Sequence, residues 1–152
     1  MPTLTIRRAT PADAETVVDF NRLLAEESEG KTLDRALLAP GVAKVLADSD
    51  KGLYFLAEDG GRIVGQTMVT FEWSDWRNGW FWWIQSVYVV PEARRRGVFR
   101  SLYEHIHKAA KADPNVIGLR LYVEEENRRA HETYYKLGME KTGYFLLEKY
   151  PL

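Results

Sequence analysis

The sequence predicts a mixed α/β sheet in a single domain spanning residues 1–152. Three observations predict it. Short stretches with strand alternation interleave with stretches of helical period, in the order β-α-α-β-β-β-α-β-α-β. A long apolar run, Trp80 to Val90, reads as a central strand buried on both faces. The chain of 152 residues has room for one core of ordinary size and no second one.

Thr3 to Arg8 reads as a strand, with Leu4 and Ile6 on one face. Thr10-Pro11 marks a helix start, with Asp13 and Glu15 in its first turn, Val17, Phe20 and Leu24 on its apolar stripe and Gly30 at its end. Leu33 to Ala47 reads as a second helix, kinked or interrupted at Pro40-Gly41. Leu53 to Ala57 and Ile63 to Phe71 are strands joined by a hairpin turn at Asp59-Gly60-Gly61. Pro91 stops the central run. From Arg96 the period becomes helical, with Val98, Leu102 and Ile106 sharing a face. Val116 to Val123 is the next strand. Asn127 caps a short helix that Gly138 ends, and Tyr144 to Leu147 reads as a last strand.

Composition narrows the function classes. Twenty-one Lys and Arg against 22 Asp and Glu leave a formal charge of −1, so no general attraction to nucleic acid or anionic membrane is expected. Cysteine is absent, which removes disulfides, thiolate metal sites and a Cys nucleophile. No apolar run reaches the roughly 18 residues of a membrane span, and the start does not read as a signal peptide. The expected location is cytoplasmic. His105, His107 and His131 have no metal-ligand spacing, so no metal site is expected.

The informative stretch joins the central strand to the third helix. The first N–H groups of a helix lack internal partners, and its dipole places partial positive charge there. Arg94, Arg95, Arg96 and Arg100 surround that point, and Gly97 leaves the backbone uncovered by a Cβ. Together they make an anion cradle suited to a pyrophosphate. There is neither a GxxxxGK[ST] phosphate loop nor a GxGxxG fingerprint.

This stretch resembles the acetyl-coenzyme A signature of the GNAT superfamily of N-acetyltransferases. The pattern [QR]-x-x-G-x-[GA] is met by Arg94-Arg95-Arg96-Gly97-Val98-Phe99, behind the strand Val87-Tyr88-Val89-Val90-Pro91. Phe99 departs from it, standing where Gly or Ala is usual. The family's second half is matched by Leu119, Val123, Asn127, Ala130, Tyr134, Lys136, Leu137, Gly138 and Met139. The resemblance implies a sheet whose central strands splay around acetyl-coenzyme A, the acetyl-donating co-substrate. It implies that backbone groups of Val87 and Val89 hold the pantetheine arm, that amides from Arg95 to Arg100 take the pyrophosphate, and that Asn127 touches the cofactor arm.

Acetyl transfer to an amine requires a proton taken from the amine and a proton given to the departing thiolate. Tyr134 is the candidate acid: a phenol with an unperturbed pKa of about 10 is a donor at neutral pH. From geometry alone it reads as readily as a core tyrosine, and the motif favours catalysis. The base is less defined. Where related diamine acetyltransferases place Glu, two residues before Val87, this chain has Gln85. Ordered water can carry the proton; among carboxylates Glu72 is the first candidate, then Asp75 and Glu124, each of which also reads as an ordinary surface acid.

All five tryptophans fall between Trp73 and Trp83. They form either an aromatic core or dimer seam, or a wall of the acceptor pocket with Trp73 and Trp76. The expected activity is N-acetylation of a primary amine, small molecule or peptide, with a homodimer possible. The alternative, raised by Gln85 and Phe99, is a catalytically weak acyl-coenzyme A sensor. Nucleic-acid binding through Arg94–Arg96 and Arg100 lacks any wider basic stripe.

Overall fold

Leu4–Arg8 (β1), Leu53–Asp59 (β2), Arg62–Ser74 (β3), Gly79–Val89 (β4) and Val116–Leu121 (β5) line up in one sheet in that order. The first four are antiparallel, and β5 runs parallel to β4. This is a computed structural model and describes residues 4–152, so Thr3, expected to open the first strand, lies outside the described residues. Its contacts gather into two compact units, one reaching to Leu121 and one from Tyr122 to Leu152.

In the first unit, β2 and β3 turn over Gly60 and Gly61, at φ 58° and 82°. Positive φ at both central positions is what a two-residue turn of this twist needs, and glycine supplies it without a Cβ clash. Ala14–Glu29 (α1) follows a 3-10 turn over Pro11–Asp13 and ends at Gly30, φ 61°. The Asp13 carboxylate accepts the Thr10 N–H at 2.7 Å and hydrogen bonds from Nη1 and Nη2 of Arg7, each at 2.9 Å. This ties β1 to the start of α1.

Arg35–Ala47 (α2) is one helix through Pro40, so of the kink or interruption expected there the interruption is absent. Pro40 removes one backbone donor, but Asp34 caps the start by accepting the Ala36 N–H at 2.9 Å. The helix is also held by packing, since Val42 joins Val17, Val18, Tyr54 and Leu56 in the core. Val98–Ala112 (α3) buries Val98, Leu102, Ile106 and Ala110. Phe55 meets the His105 ring of α3, whereas its neighbours Tyr54 and Leu56 meet α1 and α2. Alternation along β2 therefore puts α1 and α2 on one face of the sheet and α3 on the other.

The central strand is not buried on both faces. Within β4 only Gly79, Ile84 and Tyr88 are buried, and Trp80 is exposed. The helices meet β4 near its end: Tyr88 packs on Phe20 of α1, and Val98 of α3 sits over Gly65, the partner of Val89. The β3–β4 hairpin extends beyond that cover, with Trp73 against Trp80 at 5.0 Å and Trp76 at its tip, largely exposed.

The second unit contains Arg128–Lys136 (α4), capped by Asn127, whose Oδ1 accepts the Ala130 N–H at 3.2 Å. Gly138 turns the chain out of it at φ 90°. Tyr144–Leu147, expected as a strand, is not one. The Tyr144 N–H donates to Thr142 Oγ1 at 3.3 Å, and Phe145 and Leu147 are more than nine-tenths exposed. Local β propensity makes no strand without a ladder to join. Among the described residues no helix is long and apolar enough to cross a membrane.

Candidate active site

The pairing of β4 with β5 runs from Trp80↔Val116 to Ile84↔Leu121 and stops there. From Gln85 to Val89, β4 is laddered to β3 alone among the described strands. Beyond Ile84, β4 has no ladder partner on its β5 side among the described residues, because β5 itself ends at Leu121. The Val90 N–H donates to Val64 O at 2.9 Å, toward β3, so the backbone groups of the preceding Val89 point away from β3, where Val89 O accepts from Arg94 and the N–H faces the open edge.

A bulge lies on the same stretch. Register passes from Met68↔Gln85 to Gln66↔Tyr88, which puts one more residue on β4 than on β3. Ser86 takes the strain at φ 51°, a left-handed conformation uncommon for serine. The carbonyls the bulge removes from the ladder are caught by β3 side chains. Thr67 Oγ1 donates to Gln85 O at 3.0 Å, and Gln66 Nε2 to Ser86 O at 3.1 Å. Both side chains are fully buried; these bonds use Thr67 Oγ1 and Gln66 Nε2, while Gln66 Oε1 is buried without a hydrogen-bond partner among the described residues. Gln66 continues to Asn21 Oδ1 at 3.2 Å, and Asn21 donates to the Tyr54 hydroxyl at 3.0 Å. Burial pushes the Tyr54 phenol above its ordinary value.

Past β4 the chain makes a 3-10 turn over Pro91–Ala93 and two left-handed residues, Arg95 at φ 64° and Gly97 at φ 78°. The ladder of α3 begins with the Ser101 N–H on Gly97 O at 3.0 Å, so the first-turn amides ahead of it have no acceptor within the helix. Gly65 sets how close this turn sits. A Cβ there would stand 2.8 Å from Val98 Cγ1 and 3.3 Å from Tyr88 O.

The arginines divide by role. Arg94 is pinned: its Nε donates to Val89 O at 2.9 Å, its Nη2 pairs with Glu27 at 3.0 Å, and its guanidinium lies 5.6 Å from the Tyr88 ring. It fastens the end of β4 to α1. Burial, then the bond to Glu27, holds the Tyr88 phenol protonated above the usual range. Arg100 pairs with Glu104 at 2.9 Å. Among the described residues Arg95 and Arg96 form no ion pair, and both are exposed. Val98 is buried against Gly65, and Phe99 is half-buried beside Tyr103, ring centroids 6.3 Å apart.

Val87, Tyr88, Val89 and Arg94 to Arg100 are thus brought to one edge and the turn that follows it. Glu72 is not. It lies opposite Phe81, five residues along β4 from Ser86, about 17 Å at the rise of a strand. Its carboxylate is engaged by Arg120 at 2.9 Å and by the Trp83 indole N–H at 3.1 Å, with Arg120 stacked 3.6 Å from the centre of the Phe81 ring. Asp75 sits in the hairpin turn, its Oδ1 on the Trp76 N–H at 2.9 Å, so Trp73 and Trp76 are also remote from the bulge. Asn127 and Tyr134 belong to the second unit, where Tyr134 is half-buried and burial raises its phenol above the ordinary value. No group of three or more His, Asp or Glu able to hold a metal occurs among the described residues. Sequence reasoning missed Ser86, Gln66, Asn21 and Tyr54. Only the polar pair Gln85-Ser86 inside an apolar run signalled a break.

Residues 18–139 match the family model described as the acetyltransferase (GNAT) family. No curated protein matches the chain. Among solved structures, a possible acetyltransferase from Clostridium difficile 630 is 45% identical, with 98% of each chain covered and a TM-score of 0.92. A predicted acetyltransferase with acetyl-CoA from Clostridium acetobutylicum shares the fold at 20% identity, covering 97% of this chain and 96% of its own, TM-score 0.77. A ribosomal-protein-alanine N-acetyltransferase from Brucella melitensis biovar Abortus 2308 does so at 13% identity, 98% and 100% coverage, TM-score 0.79. With β4 unpaired on its β5 side beyond Ile84, a bulge at Ser86 and a glycine-led helix behind them, the chain belongs to the GNAT acetyltransferase family, and it is an acyltransferase.

Proposed function

We propose that the protein transfers the acetyl group of acetyl-coenzyme A to a primary amine. The observation that carries this is the open edge of β4 from Gln85 to Val89, ending in an amide-rich helix start flanked by Arg95 and Arg96. An extended arm with amide groups fits the edge as a short extra strand would, and the first-turn amides of α3 fit a pyrophosphate. Val87, Tyr88 and Val89 hold the arm. Arg95, Arg96, Gly97, Val98, Phe99 and Arg100 supply the backbone of the cradle, and Asn127 adds a polar contact from the cap of α4. Arg94 acts indirectly, by positioning Val89. The bound thioester supplies an activated acetyl group, and this chain supplies placement and protons.

The left-handed Ser86 re-aims the amide that follows it, which makes the Val87 N–H the donor available to a carbonyl oxygen as negative charge builds there. Tyr134 is the general acid for the departing sulfur, since its raised phenol stays protonated across neutral pH. The amine loses its proton to solvent. Gln85 cannot accept it: its Nε2 donates to Thr70 Oγ1 at 2.5 Å, and Glu72 is committed to Arg120. Calorimetric titration with acetyl-coenzyme A, followed by thiol release with an amine panel, tests the reading. Binding without acceptor-dependent release would leave the acyl-coenzyme A sensor. A homodimer belongs to the same reading, supported by the exposed apolar run of Tyr144, Phe145, Leu146 and Leu147.

A further inference from the structure

Between α1, α2 and the bulge of β4 lies an open cleft of about 310 Å³. Its walls are aliphatic: Leu38, Val42 and Val45 from α2 and Met68 from β3. Polar groups occur at one end only, where Ser86, Tyr54 and Asn21 line it. None of the lining residues carries a charge. Ser86 is also the residue whose left-handed turn sets the open edge of β4, so the polar end adjoins the place where an acetyl group would be presented.

We infer that this cleft is the acceptor site and that it takes a small primary monoamine on an uncharged, apolar body, such as an arylalkyl or branched alkyl amine. The inference rests on the acetyl-transfer reading and names its substrate class. An attacking amine must be neutral, and the polar groups it would meet are the hydroxyls of Ser86 and Tyr54, since both ends of the Asn21 amide are engaged. The rest of the acceptor meets only hydrocarbon. A second ammonium, a carboxylate or a guanidinium would find no counter-charge among the residues that line the cleft. Polyamines, amino acids and charged peptides are therefore disfavoured against apolar monoamines. The volume stands at the small end for ligand cavities, which suits a compact acceptor.

Gly41 on α2 provides the test. It lines the cleft, and a Cβ built on it meets nothing within 4 Å. Gly41→Leu fills the space with a residue that favours helix, so the fold should survive. The intact protein is assayed for thiol release from acetyl-coenzyme A with phenethylamine, isoamylamine, spermidine, glutamate and a charged peptide. The two apolar amines should exceed the other acceptors at least tenfold in kcat/KM. Gly41→Leu should raise their KM at least tenfold while leaving acetyl-coenzyme A affinity unchanged. Binding is also read without turnover: phenethylamine should raise the melting temperature of the wild type and not of Gly41→Leu. A preference for spermidine, glutamate or peptide would overturn the inference, as would apolar amines that neither react nor bind. Failure to bind acetyl-coenzyme A would instead sink the transferase reading.

Discussion

Two side chains illustrate what single residues do here. Burial raises the phenol of Tyr134 above its ordinary value. The acid it would provide is the protonated form, present below the raised pKa and lost as pH climbs through it. Replacing Tyr134 by Phe should lower kcat by about 10²-fold or more, in the range of general acid catalysis, with the dissociation constant of acetyl-coenzyme A nearly unmoved. Steady-state kinetics beside calorimetry checks both halves. Asp13 works in stability. The hydrogen bonds from Arg7 hold its carboxyl down at about 2 from an ordinary 3.8, outweighing its burial. A depressed carboxyl stabilises the fold above its unfolded pKa and loses that contribution as pH falls from near 4 toward 2. Asp13→Asn should cost on the order of 2 kcal/mol at neutral pH and flatten the melting temperature over that acid window.

Among elements, β4 and α3 decide the site, and the contact that sets their distance is Gly65 under Val98. Gly65→Ala should destabilise by about 1–3 kcal/mol, since Val98 is buried and the Tyr88 carbonyl is backbone. It should also weaken acetyl-coenzyme A binding by moving the first turn of α3. Gly97→Ala is the contrasting case: nothing crowds its Cβ, so the cost is that of φ 78° alone, about 1–2 kcal/mol. Denaturant melts and calorimetry on both variants separate crowding from strain. The same elements show what could be read beforehand. Strands β2 to β5 and helices α1, α3 and α4 announce themselves through apolar period, caps and glycines, which are local signals. The bulge at Ser86 does not, because an extra residue on one strand is defined only against its partner. Nor does the chain Gln66–Asn21–Tyr54 announce itself, joining residues from three separate elements. Arg94 looked like a ligand group in a basic run, and only the fold shows it spent on Val89 and Glu27. The aromatic run 80–83 read as fully buried because composition cannot tell how far the helices extend over a strand.

For the whole molecule the open question of assembly falls on the C-terminal segment. Tyr144, Phe145, Leu146, Leu147 and Tyr150 are all more than two-thirds exposed, an apolar run that soluble chains normally cover. Deleting residues 144–152 should convert a dimer to a monomer in analytical ultracentrifugation at micromolar concentration, and Phe145→Asp should shift the equilibrium the same way. A full-length chain that sediments as a monomer throughout would remove the dimer. The unlatched half of β4 has one more consequence. An amide facing water without a ladder partner trades its proton for deuterium quickly, and one clamped by a guest does so slowly. Val89 would thus serve as a built-in occupancy gauge, its isotope uptake in solution slowing as the nucleotide thioester is added and recovering when it is washed away.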